Sequence, residues 1–109
     1  MKYVDGFVIP VPKKKLKAYA RMAKLGCKVW KEHGALDYRE CVGEDLKSMC
    51  GVPFPKQLKL KPGETVVFAY ILYKSRAHRD KVNAKVMKDP RITNGMDLKN
   101  MPFDHTRMV

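Results

Sequence analysis

No apolar stretch in this chain of 109 residues reaches the roughly 18 needed to span a bilayer, so the sequence predicts no transmembrane helix. Cysteine is scarce. Cys27, Cys41 and Cys50 form no C-x-x-C pair, and no histidine stands at zinc-ligand spacing from them. A structural metal or a disulfide framework is therefore not expected, and no cofactor is implied. The chain also lacks a Gly-rich phosphate loop, an RNA-recognition signature, helix-turn-helix spacing and any recognisable nucleophile–base–acid set. Acidic residues are few, with 11 Asp and Glu against 23 Lys and Arg, giving a formal charge of +12. That balance permits a polyanionic partner such as RNA, through phosphate neutralisation. The apolar pattern of the N-terminus breaks at Asp5-Gly6, too early for a signal peptide, and a cytoplasmic location is the expectation.

What is present reads as one domain spanning residues 1–109, since 45% hydrophobic with 31% charged residues is globular composition. Its plainest feature is Val66-Val67-Phe68-Ala69-Tyr70-Ile71-Leu72-Tyr73, eight residues without a charge or a turn former. A strand sends alternate side chains to opposite faces, so an unbroken apolar run predicts burial on both. Lys61-Pro62-Gly63-Glu64 is the turn before this strand, and Ser75 caps the helix after it, expected over about Arg76–Lys88 and ending before Pro90.

A first strand is expected over Tyr3–Pro10, stopped by Pro10 and Pro12, which cannot donate to a ladder. A long helix follows from about Lys13 to His33, closed by Gly34. At about 100° per residue, Lys17, Arg21, Lys24, Lys28 and Lys31 form one basic stripe on it, joined by Glu32, and the rest of its surface is mostly apolar. Ala35–Val42 alternates as a second strand, with Leu36, Tyr38, Glu40 and Val42 on one side. Residues 43–63 read as a long loop holding a short helical turn, and the stretch from Asp89 to Asp104 as holding another short helix. Arg107-Met108-Val109 reads as the start of a last strand.

The order β-α-β-β-α-β predicts an α+β, ferredoxin-like subunit, an antiparallel sheet with both helices on one face. The other face would be bare, although the third strand is apolar there too. A homodimer joined through the sheet faces resolves that conflict.

Polar residues expected on otherwise buried faces are the site candidates. His33 lies in the apolar arc of the long helix, where it either faces a pocket or serves the helix C-terminus. On the second helix Arg79 and Asn83 share the apolar side with His78 beside them, lining a pocket or reaching solvent. Asp5 lies inside the first strand, available to a ligand or to a basic partner. With Tyr38 of the second strand, these residues are the expected lining of a small-molecule cleft between sheet and helices. The alternative is polyanion binding by the basic helix faces, although basic faces are usually just solvated.

The segments Tyr3–Pro12, Glu32–Val42, Lys59–Phe68, Tyr73–Arg91 and Met101–Asp104 together resemble the YbaA-like family of small bacterial proteins of unknown function, over nearly the whole chain. The resemblance implies a dimeric α/β-barrel subunit and carries over no catalytic residue, because none is established for the family. Family members continue past the equivalent of Arg107-Met108 with a glycine-containing final strand, of which this sequence has only the beginning.

Overall fold

A computed structural model describes residues 1–95 and 100–109. Three strands, β1 (Tyr3–Pro12), β2 (Asp37–Val42) and β3 (Glu64–Tyr73), form an antiparallel sheet in the order β1-β3-β2. Helix α1 (Leu16–Glu32) joins β1 to β2 and is preceded by a 3-10 turn at Lys13–Lys15. A short helix α2 (Phe54–Gln57) interrupts the long loop, and α3 (Arg76–Val86) and the single-turn α4 (Pro90–Thr93) follow β3. Helix α4 is the short helix expected within Asp89–Asp104, and residues 96–99 of that stretch lie outside the described residues.

The apolar run forms β3 as its composition dictates, and its central position pairs it with both neighbours. Tyr3 to Pro12 face Tyr73 to Glu64, and Asp37 to Val42 face Leu72 to Val67. Period-two alternation then sorts the side chains. Ile9, Val11, Val67, Ala69, Ile71 and Tyr73 turn to one face and are buried there beneath Tyr19, Ala23 and Val29 of α1 and Val82 and Val86 of α3. The opposite face is open in the single chain. Val66 is buried at one end, but Phe68 keeps 45% of its surface exposed and Val4 on β1 keeps 53%.

Strand β1 is longer than its prolines predict. It runs through both Pro10 and Pro12, and the reason is its position at the edge of the sheet. Val8 turns its N–H and C=O away from β3, toward Val109, which it bonds in both directions at 2.7 and 2.9 Å. Pro10 and Pro12 have the parity of Val8, so their nitrogens also point outward and no bond to β3 is lost. Residues His105–Arg107 form a 3-10 turn, and Val109, where the expected last strand would begin, pairs with Val8 of β1. The Arg107 guanidinium holds this segment down with a fork onto Glu64, at 2.6 and 3.0 Å.

Helix α1 ends at Gly34, whose φ of +115° lies in the region that glycine alone adopts without strain. Ser75 caps α3 by accepting the His78 N–H at 3.1 Å.

Candidate functional site

Strand β2 is the other edge of the sheet, and its alternation turns Tyr38 and Glu40 onto the helix-covered face, opposite Ile71 and Ala69. Tyr19 reaches down from α1 to the same point. Its hydroxyl donates to Glu40 Oε2 at 2.7 Å, and the Tyr38 hydroxyl donates to Oε1 at 3.1 Å. Gly26 makes this convergence possible, because a Cβ there would meet the Tyr38 hydroxyl at 2.8 Å. Burial pushes the Glu40 carboxyl above the ordinary glutamate range, and the two phenol hydrogen bonds oppose that only in part. The same burial raises both phenols, each further disfavoured as a phenolate by the carboxylate beside it.

These groups open onto a cavity of about 320 Å³ between α1 and the sheet, floored by Ala69 and Ile71 and walled by Phe7, Trp30 and Phe103. Its surroundings are aromatic. The Trp30 and Tyr38 rings lie 6.1 Å apart, and Tyr19 meets Phe103 edge-on at 5.7 Å. A second groove of about 340 Å³ lies on the outer side of Tyr38 and Glu40, lined by Lys24, Cys27 and Lys28 of α1.

Of the six residues singled out from the sequence, Tyr38 lines this cleft directly. Asn83 stands one contact behind it, with its Oδ1 accepting from the Trp30 indole at 3.1 Å and from the Tyr73 hydroxyl at 3.2 Å. It thereby fixes the angle of one cleft wall. His78 Nδ1 accepts the Lys74 N–H at 3.0 Å, and its ring lies edge-on to Tyr73. Asp5 and Arg79 meet each other, at 2.9 and 3.2 Å, while the guanidinium stacks over the Tyr3 ring and also bonds Asp80. His33 meets Asp89 at 2.8 Å, at the junction of α1 with α4. Sequence reasoning did not single out Glu40, Tyr19 or Trp30. The two-residue spacing of Tyr38 and Glu40 was visible, but nothing local shows that Tyr19, 21 positions away, closes over the carboxyl.

The Asp89 contacts carry a pH dependence. The Arg91 guanidinium holds the Asp89 carboxyl well below the usual range, aided by His33 and by the Arg91 N–H. A depressed carboxyl stabilises the fold fully above its unfolded value of about 4 and loses that contribution as pH falls further. Asp89→Asn should therefore lower the urea midpoint at neutral pH, and the gap to the parent should close as the solution is acidified from about pH 4. A gap unchanged by acid would show that the carboxylate charge is not what matters.

An edge-strand carboxyl held by two phenols beside an aromatic cleft marks a small α+β protein with a candidate pocket. The family model described as "Protein of unknown function (DUF1428)" matches residues 2–105, and the chain belongs to that family. It is 42% identical over 109 residues to the uncharacterized protein YbaA of Escherichia coli K12, covering 100% of this chain and 92% of that one. A relative of the same description from Shigella flexneri matches at the same 42% identity.

Proposed function

We propose that this protein binds a small molecule with an apolar body in the cleft between α1 and the sheet. The observation that carries the reading is Glu40, a half-buried carboxyl held by two phenols at the rim of an otherwise aromatic and aliphatic cavity. Pockets of this kind, apolar with one or two convergent polar groups and a perturbed acid, are where ligands bind and where proton transfer is run. If the bound molecule is transformed, Glu40 is the group that takes or gives the proton.

The subunit reads as ferredoxin-like, because the Val109 pairing on the outer edge of β1 extends the order β1-β3-β2 by the beginning of a fourth strand. Its open face, with Val4, Phe68, Tyr70 and Leu72 at the centre and Asp37 and Arg39 of opposite sign at the rim, suits a second copy of itself across a two-fold axis. The two sheets would then form the dimeric barrel. No helix among the described residues is long and apolar enough to cross a membrane.

The test uses Trp30, the single tryptophan of the chain, which stands in the cleft wall. Titration with the apolar fluorophore N-phenylnaphthylamine should give saturable energy transfer from Trp30 at a stoichiometry of one per subunit. An absence of saturable transfer up to the solubility of the dye would overturn the reading.

One observation favours a second reading, polyanion binding. Every ion pair among the described residues uses arginine or histidine and none uses lysine, so the exposed stripe Lys17, Lys24, Lys28 and Lys31 makes no close salt bridge, although Glu32 and Asp37 lie near enough to feel Lys28 and Lys31. That reading predicts tight RNA binding at low salt with a steep loss as salt rises, and a flat titration at low ionic strength removes it.

A further inference from the structure

The cleft carries a charge problem that identifies its ligand more closely. Among the described residues the other carboxylates out of full solvent contact meet a cation: Asp5 meets Arg79, Asp37 meets Arg39, Glu64 meets Arg107, and Asp89 meets Arg91 and His33. Glu40 meets none. Its two oxygens accept one phenol hydrogen bond each, which uses two of about four acceptor sites on an ionised carboxylate. Burying a carboxylate without a counter-ion is costly, and a bound cation relieves that cost. Aromatic rings, those of Tyr19, Trp30, Tyr38 and Phe103, line the cavity beside it, and aromatic rings attract cations through their quadrupoles.

We infer that the ligand of this cleft is an organic cation, an amine carried on an apolar or aromatic body, with Glu40 as its counter-ion. The inference rests on the small-molecule reading above and adds the charge of the ligand to it. An ammonium group is a donor of up to three hydrogen bonds and suits the free acceptor sites of Glu40, while the aromatic lining takes the apolar body. The other titratable groups facing this point are the two phenols, His105 at the mouth of the cleft, and Cys27, Lys24 and Lys28 on the outer groove. Neither lysine bonds the carboxyl, and both are exposed. Their charge would favour an anion in the outer groove, so an anionic probe separates the two sides of Glu40.

Calorimetric titration of the full chain near neutral pH with three probes of one size, naphthylmethylammonium, naphthalenemethanol and naphthoate, tests the assignment. The ammonium should bind about tenfold tighter than the alcohol, and naphthoate weakest. Glu40→Gln should cost the ammonium more affinity than the alcohol and so erase the preference between them. Acidification that protonates Glu40 in the parent chain should erase the preference without any substitution, since the probe stays charged. Equal binding of ammonium and alcohol, or a preference for naphthoate, overturns the organic cation and leaves the cleft. Failure of all three probes to bind overturns both.

Discussion

Tyr73→Ala should cost about 3–5 kcal/mol of folding free energy, the largest loss expected from any single side chain here. Tyr73 has no exposed surface and packs among Val29, Val82, Val86 and Ile71, at the seam where α1, α3 and the sheet meet. Burial pushes its phenol up to about 12, and its hydroxyl donates to Asn83. Truncation leaves both a ring-sized void and an amide short of one donor. Domains of this size are stable by about 5–15 kcal/mol, so the loss is a large fraction of the total stability. Tyr73→Phe separates the two effects. It keeps the ring and removes only the hydrogen bond, so the expected loss is about 0.5–1.5 kcal/mol, because Asn83 still accepts from Trp30. Urea denaturation of the pair checks both figures. Equal losses in the two variants would mean that the hydrogen bond, not packing, holds the seam.

The proposed face-to-face pairing predicts a dimeric parent and a monomeric Phe68→Asp variant in sedimentation at micromolar concentration. Phe68 lies at the middle of β3 on the open face, paired with Val8 on one side and Cys41 on the other. In a two-fold arrangement the substitution counts twice, placing two carboxylates in an apolar contact where burying charge is costly. The fold itself should survive, because Phe68 belongs to neither buried cluster and is 45% exposed in the single chain. A monomeric parent protein would contradict the face-to-face pairing. A variant that remains dimeric would move the interface elsewhere.

Much of this architecture is legible in the sequence because it depends on local rules. The apolar run and its flanking turn specify β3, Gly34 specifies the end of α1, and Ser75 specifies the start of α3. Pro10 and Pro12 mislead for a reason that local rules do not contain. Their effect depends on which edge of β1 faces β3, and that is a property of the assembled sheet. The apolar character of β3 on both faces was equally visible, yet in one chain only the face under the helices is covered.

The candidate site was less legible. Asp5, His33, His78 and Arg79 stand out in sequence as polar groups on apolar faces, and the fold gives each of them a partner. Glu40 gave no such signal, since a glutamate alternating along an edge strand is ordinarily solvated. Its character comes from Tyr19, from the absence of a side chain at Gly26, and from the aromatic walls, all supplied by other elements.

The central claim, a ligand cleft under α1, is tested most directly by mapping where a bound probe sits. Chemical-shift mapping of the labelled protein during titration with N-phenylnaphthylamine should perturb Phe7, Trp30, Tyr38, Glu40 and Ile71 together, saturating at one equivalent. Shifts confined to Val4, Phe68 and Leu72 on the open face or to the lysine stripe, or no shifts at all, would contradict it.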